Sequence, residues 1–230
     1  MRSFIFDVDG TLTPSRGRID KRFAAWLESF ATHNACYWVT GSDKPKTVEQ
    51  LTPSIWNLAI RSYQCSGNDV WEQNNNIRQS DWKISDLAVE YLKLCLYESD
   101  WPTKTGKHID TRPGMINFSV LGRNADIYDR QGYVLYDKKY SERNKIADGF
   151  NILFPDLQGN IGGETGLDIG PKGSDKSQIL KDFDSNISFF GDATFEGGND
   201  YEIAKAVKLR GGKVYDVNSW EDTWEILKGL

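Results

Sequence analysis

Asp7 and Asp9 stand two residues apart in the stretch FDVDGT, after an apolar run and before a Gly-Thr pair. In an extended chain, residues two apart point to the same side. This spacing therefore brings two carboxylates together at the end of a strand, where they repel each other unless a cation is present. Hard oxygen donors of this kind suit Mg2+, which takes one or two carboxylates together with phosphate oxygens and water. A carboxylate can also attack phosphorus and become an aspartyl-phosphate. Asp-Gly is equally a common turn pair, so taken alone the stretch fits a capped turn as well as it fits a site.

Three further clusters bear on that choice. Thr40 and Ser42 offer hydroxyls on either side of Gly41, whose backbone is free to approach a phosphate closely. The same TGSD segment also fits a helix N-cap, a place that Ser and Asp both fill. Lys176 opens a helical pattern after a loop, where its ammonium either offsets phosphate charge or faces water. Asp192 and Asp200 end a strand and a glycine-rich turn in GDATFEGGND, and either completes a magnesium site. Each cluster alone has a plain structural explanation. Four of them, in order and each at the end of a strand, do not share one.

These groups need elements that finish on a common edge. Residues 3–6 are short, apolar and closed by a turn, which predicts a buried strand. Residues 21–30 carry apolar side chains at helical spacing. Residues 35–39 predict a second buried strand, and a helix follows through Val48 and Leu51. Strand, helix, strand, helix implies parallel pairing in a wound α/β sheet, whose ligands gather at the carboxyl ends of the strands. The character changes after Trp82. Residues 87–97 predict an amphipathic helix, 115–121 and 133–136 strands, 141–150 a helix and 167–169 a strand. The wound pattern returns with a helix from Lys176, a strand at 187–190, another helix, a short strand at 214–215 and a terminal helix. The expected fold class is α/β: a Rossmann-like wound parallel sheet formed by residues 1–81 and 173–230, with an inserted α+β domain at 82–172. Trp38 and Trp56 are expected in the core, and Trp71, Trp82 and Trp101 at the junction with the insert.

Composition narrows the function classes. The chain has 230 residues, 39% of them hydrophobic, enough for a packed core with a smaller insert. A net charge of −5 argues against nucleic acid or a membrane surface as partner, since both want clustered positive charge. No apolar run approaches the roughly 20 residues that span a bilayer, and the first residues read as a strand rather than a signal peptide. Cys36, Cys65 and Cys95 are odd in number and lack CxxC spacing, which suggests neither a disulfide framework nor a zinc site. A reducing, cytoplasmic setting is the default that follows.

DVDGT, TGSD, Lys176 and GDxxxxGGND resemble the four motifs of the haloacid dehalogenase (HAD) superfamily. Longer stretches, namely FDVDGTLTPSRGRI, RPGMINFSVLGRNA, GGETGLDIGPKGSDK, FFGDATFEGGNDYEI and WEDTWEI, resemble eukaryotic-type phosphomannomutases. GSDKPKTVEQL and YDKKYSERNKI agree more weakly. The resemblance runs over nearly the whole chain, the insert included, which would then be a cap domain. It implies an Mg2+-dependent isomerase that interconverts hexose 6-phosphate and hexose 1-phosphate (mannose, with glucose as a further substrate) and is primed by a hexose 1,6-bisphosphate. It also allows a homodimer through the caps.

The resemblance assigns roles by position. Asp7 would be the nucleophile and Asp9 the general acid/base, shielded from water by a closed cap. Asp7, the Asp9 carbonyl and Asp192 would hold Mg2+, with Asn199 and Asp200 orienting the metal shell and the lysine. Thr40, Gly41 and Ser42, together with Lys176, would bind the transferring phosphoryl. In the cap, Arg112 and Arg123 would grip the distal phosphate, Arg16 of the first loop would add a contact, and Asn117 and Asp168 would meet the sugar. Guanidinium suits such bidentate phosphate binding.

Three departures from the family pattern touch substrate choice. No arginine lies between Arg78 and Arg112, where the family has a further cap arginine; Lys104 and Lys107 stand nearby. Gly166 replaces a serine two residues before Asp168. Residues 204–209, AKAVKL, hold no carboxylate where the family has an acidic loop. A phosphatase of the same superfamily is the alternative, since only water exclusion separates it from a mutase. A non-catalytic phosphosugar-binding protein is a third reading.

Overall fold

A computed structural model of the chain describes residues 2–184 and 186–230. The chain divides into two units, Met1–Ser80 with Ser174–Leu230, and Asp81–Gly173. In the first unit, β1 (Ser3–Phe6) alternates its side chains between two cores. Phe4 and Phe6 join Phe23, Leu27, Trp38, Leu51 and Leu227 on one face, and Ile5 joins Tyr63, Ile179, Phe189 and Val207 on the other. A strand apolar on both faces belongs in the middle of a covered parallel sheet. There it pairs in parallel with β2 (Ala35–Val39) and with β10 (Ile187–Gly191).

The helix α1 (Lys21–His33) starts where the Asp20 carboxylate accepts the Arg22 and Phe23 N–H groups, at 2.9 and 3.1 Å. The helix α2 (Lys44–Trp56) starts where Asp43 accepts from the Lys46 N–H at 3.2 Å. Its ladder breaks at Thr52, with φ of 74°, ahead of Pro53, which has no N–H to give. The Gln50 carbonyl, just before the break, instead accepts the Ile19 N–H at 2.9 Å. β3 (Arg61–Gln64) adds in parallel to β2, and an antiparallel hairpin of β4 (Asp69–Glu72) and β5 (Asn75–Gln79) extends that edge. The opposite edge is β11 (Lys213–Asp216), flanked by α6 (Tyr201–Leu209) and α7 (Trp220–Lys228). The order is therefore β11-β10-β1-β2-β3-β4-β5. Phe6 is level with both Trp38 and Phe190, so the chain leaves these three strands on one edge.

The second unit packs α3 (Asp86–Glu98), α4 (Ile127–Tyr140) and α5 (Glu142–Leu153) on an antiparallel sheet. Its strands are β6 (Ile109–Arg112), β7 (Met115–Phe118), β8 (Leu157–Gly162) and β9 (Gly166–Pro171), in the order β6-β7-β9-β8. One face of the sheet is apolar, with Ile116, Phe118, Leu167 and Ile169 in the core. Two expectations are corrected. Residues 133–136, read as a strand, lie inside α4, where Tyr133, Tyr136 and Tyr140 stack along one helix face and Trp101 meets the first two. The aromatic run that suggested a strand is an i, i+3, i+7 stripe. The helix from Lys176 is a 3-10 helix, Lys176–Asp182, started where Asp175 accepts the Ser177 N–H at 2.7 Å. Among the described residues, no helix is long and apolar enough to cross a membrane.

Candidate active site

The carboxyl ends of β1 and β10 deliver acidic groups to one place. Asp7 follows β1 and Asp192 follows β10, while Asp200 precedes α6. Ligand oxygens of Asp7, Asp192 and Asp200 all lie within 4.8 Å of one another. Lys176 is the cation among them. Its Nζ donates to Asp7 Oδ1 at 2.6 Å and to Asp200 Oδ1 at 2.7 Å. Asp7, Lys176 and Asp200 are buried, at 2%, 2% and 0% exposure, so their charges answer to each other rather than to water.

Electrostatics follow from that crowding. Burial, with Asp200 and Asp192 adding to it, pushes the Asp7 carboxyl well above its ordinary value against the pull of Lys176. Burial alone would lower the Lys176 ammonium, but the charges of Asp200 and Asp7 raise it, so it stays protonated. Asp192 keeps a solvent-facing side, yet the protein packed around it, then Asp200, pushes its carboxyl up to about 6. Three carboxylates against one ammonium leave an excess of negative charge in a small space. Hard oxygens in excess are the donor set of a divalent cation such as Mg2+, and the residues present fit one.

Asp9 is turned to a different task. Its Oδ1 accepts from the Arg16 N–H at 2.7 Å and from Gln50 Nε2 at 2.8 Å, and its carboxylate is not in the acidic group. Gln50 is 2% exposed, and its amide nitrogen also reaches Thr13 Oγ1 at 3.3 Å and the Gly17 carbonyl at 3.4 Å. One glutamine thus ties Asp9 to the loop that follows it. Gly10 fixes the other side. Its φ is +80°, and a Cβ there would stand 2.1 Å from Asp192 Oδ2, so only glycine lets this backbone pass Asp192. Arg16 is exposed, with φ of 55°.

The TGSD segment serves the capping role foreseen for it. Asp43 caps α2, and Thr40 and Ser42 are buried beside it. Thr40 Oγ1 accepts the Ser42 N–H at 3.1 Å. The turn at Cys65–Gly67 ties this loop to the lysine helix. Its Cys65 and Ser66 N–H groups donate to the Ser42 and Thr40 carbonyls, both at 2.9 Å, and Gln178 Nε2 donates to the Ser66 carbonyl at 2.8 Å. Asn199 Oδ1 is buried without a hydrogen-bond partner, next to Asp200.

The second unit holds its own polar cluster. Asp110 pairs with Asn117 across β6 and β7, Asn117 with Asp168 across β7 and β9, and Asp168 with Asn160 across β9 and β8. Directly paired residues share a face, so these four form one polar row opposite the apolar core. Asn117 Nδ2 donates to Asp168 Oδ1 at 2.7 Å. Gly166 lies beside them, and a Cβ there would stand 2.9 Å from Asn117 Nδ2. Asn117 fills the room that a side chain at 166 would need.

At one end of the row, Asp110 Oδ2 accepts from Arg112 Nε and Arg123 Nη2, each at 3.1 Å, and Oδ1 accepts from Lys107 Nζ at 2.9 Å. Burial would raise the Asp110 carboxyl, but Lys107, Arg112 and Arg123 hold it below its ordinary value. Burial and the neighbouring Arg112 lower the Arg123 guanidinium. Lys104 is committed elsewhere, donating to the Ser99 carbonyl at the end of α3 at 2.8 Å. Sequence reasoning missed Gln50 and Asp110. A glutamine within a helix has no signature, whereas Asp110, two residues before Arg112 on a strand, shares its face and was within reach of the alternation rule.

Comparison with known proteins matches this chain to one family. The eukaryotic phosphomannomutase profile fits residues 24–230. The Saccharomyces cerevisiae phosphomannomutase is 36% identical over 239 residues, covering 98% of this chain and 92% of its own. The Encephalitozoon cuniculi phosphomannomutase is also 36% identical, covering 96% of this chain and 90% of its own. Among solved structures, a HAD subclass IIB sugar phosphatase superposes with a TM-score of 0.62 at 15% identity, covering 100% of this chain and 98% of that one. At that identity the likeness is one of fold.

Proposed function

This chain belongs to the eukaryotic phosphomannomutase family, and from that premise we propose that it interconverts hexose 6-phosphate and hexose 1-phosphate, mannose phosphates first, through a phosphorylated Asp7. The observation that carries the reading is the buried Asp7 held on one oxygen by Lys176, with Asp192 and Asp200 alongside. Lys176 fixes Oδ1 and leaves Oδ2 for phosphorus. Starting from Asp7 phosphorylated by a hexose 1,6-bisphosphate, Asp9 withdraws the proton from the free hydroxyl of a hexose monophosphate as that oxygen bonds to phosphorus and the bond from phosphorus to the Asp7 oxygen breaks. The bisphosphate so formed turns around, the Asp7 oxygen bonds to its other phosphorus, the bond from that phosphorus to the sugar oxygen breaks, and that oxygen takes the proton back from Asp9. Gln50 and the Arg16 N–H hold Asp9 for both passes.

Asp7, the Asp9 carbonyl and Asp192 would hold Mg2+, with Asn199 and Asp200 around them. When bound, the ion neutralises charge on the phosphoryl oxygens and the carboxylates. Lys176 keeps its proton throughout and balances what remains, so the chain's part in catalysis is positioning and charge neutralisation. Thr40 and Ser42 are proposed to donate to the transferring phosphoryl. Arg16, Arg112, Arg123, Asn117 and Asp168 are proposed to bind the rest of the sugar phosphate, and a hexose 1,6-bisphosphate to prime the cycle.

The test is 31P NMR with Mg2+, mannose 1-phosphate and a trace of glucose 1,6-bisphosphate. The expected result is a growing 6-phosphate signal with little inorganic phosphate, abolished by Asp7→Asn. Inorganic phosphate as the main product would replace the mutase with a phosphatase.

A further inference from the structure

We propose that Lys107 is a third cation of the cap's phosphate subsite, held in waiting by Asp110 beside Arg112 and Arg123, and that it binds the phosphate of a sugar phosphate monoester. The proposal rests on the sugar-phosphate reading above and assigns that site a residue the motifs do not supply. Three observations carry it.

The first is the shared carboxylate. Lys107, Arg112 and Arg123 all bond to Asp110. Three cationic heads therefore gather within the span of one carboxylate and its hydrogen bonds. Asp110 offsets one of the three charges and leaves a surplus of two. A phosphate monoester carries about −1.5 to −2 at pH 7, which matches that surplus. Asp168, whose charge also reaches Arg123, is engaged by Asn117.

The second is the backbone. The Arg123 N–H donates to the Lys107 carbonyl at 3.1 Å, and the Ser119 N–H donates to the His108 carbonyl at 2.8 Å. Lys107 is thus pinned next to Arg123 by main chain, whatever its side chain does. Lys104, three residues earlier, spends its ammonium on Ser99 and is not in the cluster.

The third is the contrast in burial. The Arg112 side chain is 11% exposed and that of Lys107 is 59% exposed. Arg112 is fixed in place, whereas the lysine head, a point charge on a flexible stem, can leave Asp110 Oδ1 for a phosphate oxygen. Asp110 keeps the arginines from repelling each other before the ligand arrives, and Lys107 adds its bond when it does.

The experiment uses the full-length Asp7→Asn chain with Mg2+, so that ligand is not consumed. Mannose 6-phosphate is titrated while the arginine Nε–Hε signals of Arg112 and Arg123 are followed by 15N NMR, with unphosphorylated mannose as control. Both signals should move with mannose 6-phosphate alone. Lys107→Ala should weaken the affinity read there about tenfold, in line with the loss of one charge-assisted hydrogen bond. Lys107→Arg should restore most of it, and Lys104→Ala should leave it unchanged. Undiminished affinity when Lys107→Ala is added to the Asp7→Asn chain, or an equal loss with Lys104→Ala, overturns the role of Lys107 while leaving the proposed function standing. Arginine signals that never respond in the Asp7→Asn chain, when the chain with Asp7 intact does turn over mannose 1-phosphate, overturn the cap phosphate subsite and this proposal with it.

Discussion

Gln50 Nε2 lies 2.8 Å from Asp9 Oδ1, and that same oxygen accepts the Arg16 N–H at 2.7 Å. With both donors on Oδ1, the other carboxylate oxygen is the one left to carry a proton. Gln50→Met should lower kcat about 10- to 100-fold, a part of the roughly 10²–10⁴ that a general acid or base supplies, while KM for mannose 1-phosphate changes little. Because Gln50 Oε1 is buried without a partner, the substitution also removes an unsatisfied acceptor. Thermal unfolding should then shift by no more than about 1 kcal/mol. Steady-state kinetics and a melting curve on the same preparation check both halves.

Lys176 is the only cation bonded to Asp7 and Asp200 among the described residues. Lys176→Met should abolish turnover and cost about 3–5 kcal/mol in urea unfolding without divalent ion, as expected when one partner leaves a buried pair. Added Mg2+ should recover part of that stability without restoring activity. A variant as stable as the parent in EDTA would refute the assignment.

Metal binding should be visible as stability. Mg2+ at a hundred times its dissociation constant should add about 2.7 kcal/mol to the parent, lost on chelation. Asp192→Asn should remove most of this increment while leaving the EDTA stability close to that of the parent. Calorimetric melts with and without Mg2+ measure both.

Asp182, at the end of the 3-10 helix that begins at Lys176, accepts from Arg78 at 3.1 and 3.4 Å and lies 3.5 Å from Arg61 Nη1. Burial would raise its carboxyl, but Arg78, Tyr63 and Arg61 hold it below the ordinary value. A carboxyl depressed by folding adds stability above its unfolded pKa, and that stability is lost as pH falls through the folded one. Asp182→Asn should therefore cost about 1 kcal/mol near pH 6. The difference should shrink below about pH 4, where the unfolded aspartate begins to take its proton. Urea midpoints across that range test the sign.

Much of the core unit could be read from the chain because its strands end abruptly in chemistry. Ser3–Phe6 and Ile187–Gly191 are apolar on both faces and stop at Asp7 and Asp192. The edge hairpin of β4 and β5 was not legible, since its turn places Gln73, not glycine, at φ of 53°. The strand expected at 133–136 failed because aromatic residues favour sheets in general, while here Trp101 gave them a helical partner. Trp71 lies in the core unit's sheet, where Lys44 Nζ stands 3.6 Å from its ring and Asp69 accepts its Nε1–H at 2.8 Å. Long-range pairs such as Gln50 with Asp9 depend on how α2 crosses the loop, which no local pattern encodes.

Asp7 and Lys176 are separated by 169 positions in sequence, and β1 gains one of its two neighbours only when residues 187–191 are made. The inserted unit, by contrast, contains its whole sheet between Ile109 and Pro171. On the ribosome the insert can close on itself while the older half of the chain waits with a hydrophobic strand paired on one side. Such non-local closure is slow, and an open strand edge is a template for wrong partners. A chain that stalls before β10 is therefore an aggregation hazard rather than a partial enzyme, and the nascent protein's need for chaperones should be greatest in that interval.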